Sequence, residues 1–425
     1  MLLANSRGML AAGRRAAVAA NAMQLRSLTT GVSGAADKLT YEFTDKLDLI
    51  KPESYESRKA YQVIGEDGKL RQSKEPSLSA ELCQKMYENM VRLQVMDHVL
   101  YEAQRQGRIS FYMQTNGEEG INIGSAAALK HEDVVFAQYR EAGVLMWRGF
   151  SLQNFADQCF SNADDPGKGR QMPIHYGSVE HNFHTISSPL TTQVPQAAGA
   201  AYAFRDAGKD GPVVATYFGE GAASEGDFHA GMNFAATLEC PILFLCRNNQ
   251  YAISTPVQDQ FRGDGIVSRA QGYGMASIRV DGNDTIAVYE AVSEARAYAR
   301  ENNRPVLVEM MSYRIGHHST SDDSTAYRPI EEIESWKETA HPIPRFRKYM
   351  EAHNLWDEDK ETALRTDVRK AVLQAMTHAE DKPKPDALDN LFADVYTEMP
   401  QNLVEQQREL SEQLKKYPAH YAVHH

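Results

Sequence analysis

The chain has 425 residues, a formal net charge of −12, and 42% hydrophobic and 24% charged residues, the profile of a globular protein with room for two or three domains. The acidic balance gives no support to nucleic-acid binding, which needs a clustered basic face, and no run of ~18 apolar residues is present to span a membrane. The four cysteines, Cys83, Cys159, Cys240 and Cys246, form no CxxC pair, which argues against zinc or thioredoxin-like chemistry and for packing as small hydrophobes.

The N-terminal stretch differs in kind. It carries Arg7, Arg14, Arg15 and Arg26, is rich in alanine, and has no acid before Asp37. That is the composition of a mitochondrial transit peptide, placed here at 1–33 and implying the matrix; a plain basic tail is the alternative. Residues 34–78 are mixed and polar, with a turn signal at "GEDGK", and read as an extended arm. From Leu82 a helical stripe runs through Met86, Met90, Leu93 and Leu100 and closes at Gly107.

A β/α alternation follows. "DVVFAQ" reads as a strand ending near Tyr139, with Tyr139 and Arg140 opening a helix. "PVVATYFG" and "PILFLCRN" are near-continuous apolar strands separated by the helical "EGDFHAGMNFAATLE". "ASIRVDG", a helix over about 284–302 and "PVLVEMMSY" repeat the unit. This predicts an α/β domain over 79–330, a mostly parallel sheet with helices on both faces. A helical C-terminal region, 331–425, completes the chain, and ligands sit beyond the carboxyl ends of the strands.

One corner carries chemistry. In "YFGEGAASEGD" an acid, Glu220, stands between two glycines at a strand end. The third glycine of a GxGxxG fingerprint is misplaced, and Asp227 stands where a P-loop needs lysine. Asn248 and Asn249 end the next strand, 28 and 29 residues later. A single βαβ crossover makes the two strands parallel, so a carboxylate and an amide oxygen converge on one sheet edge. Hard oxygen ligands with space left for phosphate oxygens suit Mg²⁺. The ion explains why a carboxylate sits where glycines let a backbone approach a diphosphate; an ordinary βα turn is the bland alternative. The literal Gly-Asp-Gly at Gly263, Asp264 and Gly265 follows no buried strand and reads as a surface turn.

Gly-acid-Gly followed by Asn-Asn resembles the signature of thiamine-diphosphate enzymes. From about Ala80 onward the chain is similar to the alpha subunits of the decarboxylating components of 2-oxo acid dehydrogenases. The segments that carry the resemblance are "RISFYMQTNGEEG", "FAQYREAGVLMWRG", "GKGRQMPIHYGS", "TISSPLTTQVPQAAGAAYA", "GEGAASEGD", "RNNQYAISTP" and "YRIGHHSTSDDSTAYR". Gly-Glu-Gly in place of Gly-Asp-Gly, and Gly-His-His-Ser in place of His-Gly-His-Ser, favour the branched-chain type over the pyruvate or acetoin type. The resemblance implies the thiamine-diphosphate-binding fold and oxidative decarboxylation of branched-chain 2-oxo acids. The acyl group passes to a lipoyl group, a disulfide acceptor, on a partner acyltransferase.

Carried over by position, Glu220, Asn249 and the Tyr251 carbonyl would hold Mg²⁺. Tyr139, Arg140, Arg247, His318, Gly221 and Ala222 would contact the diphosphate, with Ser188 and Leu190 along the cofactor. Ser187, Pro189, Thr192 and Gln193 would form a potassium site; a turn capping the next helix is the bland alternative. His318 is the candidate catalytic histidine, and its neighbour His317 reads equally well as an ordinary loop residue. Ser319 would be a kinase and phosphatase target, whereas Pro329 stands where a second family phosphoserine is found. The resemblance further implies a beta subunit in an α₂β₂ assembly that completes the site. His175, His181 and His184 fit no zinc spacing. The rival class is a non-catalytic α/β nucleotide-binding protein, for which this ligand set has no use.

Overall fold

The computed structural model describes residues 43–71, 76–208 and 211–421. The expected transit segment lies outside them. The chain divides into two compact units, Met1–Glu56 and Ser57–His425. The described part of the first is exposed throughout and contains one 3₁₀ turn, Pro52–Ser54, with proline at its first position.

The second unit is built on a six-stranded sheet. Its strands are β1 (Val134–Phe136), β2 (Phe183–His184), β3 (Val214–Gly219), β4 (Ile242–Asn248), β5 (Ala276–Asp281) and β6 (Val306–Met311). The spatial order is β2-β1-β3-β4-β6-β5 and every pair is parallel. All seven residues of β4 are buried, as a central parallel strand covered on both faces requires.

The period of two divides the strand side chains between two cores. Tyr217, Leu243, Leu245 and Val308 face one side. There they meet α1 (Ala80–Arg105), α2 (Glu119–Ala128), α3 (Ala142–Trp147), α4 (Leu152–Phe160) and α7 (Thr285–Asn302). Phe218, Phe244, Cys246 and Leu307 face the other. That side is covered by α5 (Gln193–Phe204) and α6 (Gly226–Thr237). The expected arrangement, helices on both faces of a mostly parallel sheet, is what forms.

Local signals set the helix ends. Ser79 caps α1 by accepting from the Leu82 amide at 3.2 Å, and Gly107, at φ +77°, lets the chain leave it. Asp284 caps α7 through Ala287, and its second oxygen accepts from the Val63 and Ile64 amides at 2.7 Å. Helices α2 and α7 approach closely because Gly120 and Gly124 present no side chain; a Cβ at Gly124 would lie 2.7 Å from the Thr285 carbonyl oxygen. The C-terminal region is helical as expected, in α8 (Ile330–Thr339), α9 (Pro342–Ala352), α10 (Glu358–Glu380) and α11 (Gln401–Lys416), besides the short Ala387–Asn390 turn. Val368, Val372, Ala375 and Met376 of α10 join the first core, whereas α11 buries nothing.

Two local expectations are corrected. Strand β1 ends at Phe136, and α3 begins only at Ala142, so Arg140 lies in the connecting turn. The buried carboxylate of Glu141 accepts from the Gln138 amide at 2.7 Å there, so a helix N-terminus is not what this turn offers an anion. The Gly263–Gly265 turn is not merely superficial. Asp264 pairs with Arg279 at 2.8 Å, and Ile266 and Val267 behind it are buried, their amides donating to Glu309.

Candidate active site

The strand order reverses between β1 and β3, and the carboxyl ends of β1, β3 and β4 lie along one edge of the sheet, the ligand position of parallel sheets. Glu220 follows β3, Arg247 and Asn248 end β4, and Asn249 comes next. Gly221 is needed at its corner, because a Cβ there would lie 2.5 Å from the Ala252 side chain.

Glu220 is 2% exposed. Its oxygens accept from the Asn249 amide at 3.3 Å and Gln260 Nε2 at 3.2 Å. No basic side chain among the described residues pairs with it, and burial pushes its pKa up. A buried carboxylate without a counter-charge is costly, and a cation relieves it. Asn249 Nδ2 donates to Glu118 Oε1 at 2.8 Å, which turns Oδ1 the other way; that oxygen lies 3.3 Å from the Tyr251 amide. Among the described residues no three His, Cys, Asp or Glu side chains gather as a metal site. A cation at Glu220 would be completed by the Asn249 amide oxygen, a carbonyl and ligand or water oxygens, which is Mg²⁺ chemistry. The Tyr251 carbonyl accepts from Arg314 Nη1 at 3.3 Å.

A buried charge network backs the corner. Arg247 Nη1 donates to Glu118 Oε2 at 2.6 Å, and its Nε is paired with Glu141. Burial alone would pull the Arg247 pKa down; Glu141 and Glu118 more than offset this and raise it. Burial likewise pushes Glu118 up, but Arg247 and Arg140 outweigh it, so its carboxyl titrates below the usual range. Arg140 lies 3.8 Å from Glu118, donates to the Gln114 carbonyl, and donates from Nη2 to the His318 carbonyl at 2.7 Å. Arg140 and Arg247 thus meet Glu118 and Glu141, whereas Glu220 has no basic partner among the described residues.

His318 reaches the corner from the loop after β6. Burial, then Arg140 and Arg314, lower its pKa to about 3. Arg140 Nη2 lies 3.2 Å from Nδ1 and can only donate, so the neutral ring carries its proton on Nε2. His318 therefore offers a donor and no positive charge. His317 serves the loop itself, its Nδ1 accepting from the Ser324 amide at 3.0 Å.

The loop is not a solvated turn. Asp322 accepts from the His318 amide at 2.8 Å and the Tyr327 hydroxyl at 2.7 Å, and Arg314 donates to that hydroxyl at 2.6 Å. Ser319 is 7% exposed. The stretch Ser187–Leu190 is exposed. Thr192 precedes α5 without a side-chain cap, Thr191 has φ +63°, and Gln193 Nε2 donates to the Tyr217 carbonyl at 2.9 Å. Tyr139 stands edge-on to His318, ring centres 6.0 Å apart, and Ala222 starts a 3₁₀ turn beside Gly221.

Glu118, Glu141, Arg314 and Gln260 were not singled out from the sequence. A signal existed: an arginine ending the apolar run "PILFLCRN" must be met by a buried carboxylate. Glu119, next to Glu118, faces elsewhere. Its Oε2 accepts from the Gly117 amide at 3.0 Å, its Oε1 has no partner among the described residues, and burial beside Asp97 raises its pKa to about 8. It lines a separate cavity of about 390 Å³ with Asp97, Asn116 and Arg369.

Residues 87–388 match the family described as the dehydrogenase E1 component. The chain belongs to this family. It is 56% identical to the human 2-oxoisovalerate dehydrogenase subunit alpha, mitochondrial, over 90% of this chain and 86% of the human protein. Identity to the Caenorhabditis elegans protein of the same name is 49%, covering 98% and 97%. The alpha 1 subunit of that name from Arabidopsis thaliana is 54% identical, covering 89% and 80%. No described helix is long and apolar enough to cross a membrane.

Proposed function

We propose that this chain is the alpha subunit of the E1 component of a branched-chain 2-oxo acid dehydrogenase complex in the mitochondrial matrix, a 3-methyl-2-oxobutanoate dehydrogenase (2-methylpropanoyl-transferring). The E1 family match implies dependence on thiamine diphosphate and a beta-subunit partner. The names of the relatives support the substrate class and the compartment. The observation that carries the cofactor reading is Glu220, buried and without a basic partner beside the Asn249 amide. In this reading Glu220, Asn249 and the Tyr251 carbonyl hold Mg²⁺. Arg140, Arg247, His318 and the amides of Gly221 and Ala222 hold the diphosphate, and Tyr139, Ser188 and Leu190 line its path. Bound there, thiamine diphosphate supplies the nucleophilic carbon and the electron sink for decarboxylation. His318 donates from Nε2 as a neutral group, which permits a hydrogen bond to an anionic oxygen without adding charge to the cluster.

Ser187, Pro189, Thr192 and Gln193 form the proposed potassium site, and Ser319 the proposed phosphorylation site. Its burial means the loop must open before a kinase acts. A phosphate beside Asp322 and Asp323 would then oppose reclosure by like-charge repulsion, denying a lipoyl-bearing acyltransferase its access. A second copy of this chain and two beta subunits would complete an α₂β₂ assembly.

The test is a substrate comparison. The chain is co-expressed with a family beta subunit, supplied with Mg²⁺ and thiamine diphosphate, and assayed with an artificial electron acceptor. Strong preference for 3-methyl-2-oxobutanoate over pyruvate is expected. Preference for pyruvate would overturn the substrate class, and no turnover of either by a cofactor-loaded complex would overturn catalysis.

A further inference from the structure

We propose that His175 is a positioning residue: it holds the Ser188 hydroxyl as a hydrogen-bond acceptor facing the cofactor. The proposal rests on the reading above that places Ser188 beside thiamine diphosphate.

His175 is 5% exposed. Its Nδ1 lies 3.1 Å from the Pro173 carbonyl oxygen, which can only accept, so Nδ1 carries the proton. In the neutral ring Nε2 is then bare, and it lies 2.7 Å from Ser188 Oγ. The serine must donate to it. With its proton committed to His175, Ser188 Oγ has only lone pairs to offer on its exposed side, so a ligand there must bring a donor.

The backbone around His175 is strained to achieve this. Ile174, buried and β-branched, sits at φ +70°, a conformation that is a genuine outlier for such a residue and persists only where surroundings over-determine it. Gln158 of α4 supplies the constraint. Its Oε1 accepts from the Ile174 amide at 3.0 Å, and its Nε2 donates to the Met172 carbonyl at 2.7 Å. On the facing segment Thr191 is also left-handed, at φ +63°. The two segments are tied by the Ile186 amide donating to the Tyr176 carbonyl at 3.0 Å and by the Ser188–His175 bond. The neighbouring histidines behave differently. His181 bonds Ser178 at 2.7 Å, and His184 is exposed with Nδ1 against the carbonyl of the next residue. Of the three, only His175 reaches a residue of the proposed site.

The experiment uses the complex assembled with the beta subunit. His175→Asn keeps an N–H near the Nδ1 position but is too short for Ser188; His175→Gln returns an amide oxygen toward the Nε2 position; Ser188→Ala removes the other partner. Thiamine diphosphate affinity is measured by calorimetry at saturating Mg²⁺, together with the Tm of the cofactor-free assembly. His175→Asn and Ser188→Ala are each expected to weaken binding roughly 5- to 10-fold. The double variant is expected to bind no more weakly than either single one, since both remove the same bond, and His175→Gln should recover most of the loss with Tm unchanged. Ser188 is exposed, so Ser188→Ala tests the idea even if the His175 variants fail to fold. Unchanged affinity in Ser188→Ala overturns it, as do additive losses or a lower Tm with unchanged affinity. Glu220→Ala runs in parallel. If that variant still binds the cofactor normally, the functional reading fails; if it loses binding while His175→Asn does not, only this proposal fails.

Discussion

Glu118 and Glu119 are consecutive, both fully buried, and chemically opposite. Glu118 faces the sheet mouth, where Arg247 and Arg140 hold it ionised. Glu119 faces the cavity behind, where burial, with Asp97 nearby, raises its pKa to about 8. One residue of register decides whether a carboxylate in the same turn is half of an ion pair or a neutral acid. Burial is common to both sides; the sign of the nearest charge is not.

The largest effect expected from this contrast is at Glu118. Glu118→Ala leaves Arg247 and Arg140 buried and short of counter-charge, and removing one partner of a buried pair costs about 3–5 kcal/mol. Denaturation of the assembled complex should show that loss, together with loss of cofactor binding. A change within ~1 kcal/mol, the size of a surface pair, would mean that the network is not the keystone it looks like.

Next is Glu220. Glu220→Ala should abolish Mg²⁺-dependent binding of thiamine diphosphate in calorimetry while leaving the cofactor-free assembly no less stable, because its pKa is raised by burial and nothing basic offsets it. The sign follows from linkage: a carboxyl raised in the folded state binds its proton more tightly there than when unfolded, so stability falls as pH rises through the interval between the two values. Glu220→Gln removes that fall, and Mg²⁺ should offset it in the wild type.

Glu119 sharpens the comparison. Its pKa of about 8 lies above the ordinary 4.5, and Asp97 is raised to about 6 from 3.8, so both make stability decline as pH climbs through those windows. Glu119→Gln should flatten the pH dependence between pH 4.5 and 8 and leave cofactor affinity within about 3-fold of wild type, well under the ~1.4 kcal/mol that a tenfold change represents. Comparable damage from Glu118→Gln and Glu119→Gln would erase the distinction.

The smallest effect is at His318. With its pKa lowered to about 3 from 6.5, it contributes stability that is lost as pH falls between those values, and cofactor affinity should show no imidazole step from pH 7 to 8. His318→Gln, which retains a donor, should bind better than His318→Ala, and equal affinities would remove the Nε2 donor.

Much of this was legible in the chain. The apolar runs of β3, β4 and β6 can only be parallel strands covered on both sides, and their spacing places Glu220 and Asn249 on one edge. The helical stripe of α1 and its closing glycine follow from period and backbone freedom. What escaped were partners distant in sequence: Glu118 for Arg247, Arg314 for the Tyr251 carbonyl, Gln158 for Ile174. Arg140 was assigned to a helix end that begins two residues later, because a turn and a first helical turn share the same residue preferences.

The sequence by itself determined the α/β class, the acidic corner at the end of β3 and the family, since these rest on period, spacing and residue type along one chain. Only the tertiary structure decided the charge states. Whether His318 is neutral, Glu119 protonated or Glu118 ionised depends on desolvation and on the nearest opposite charge, and both are set by residues the chain brings together from far apart.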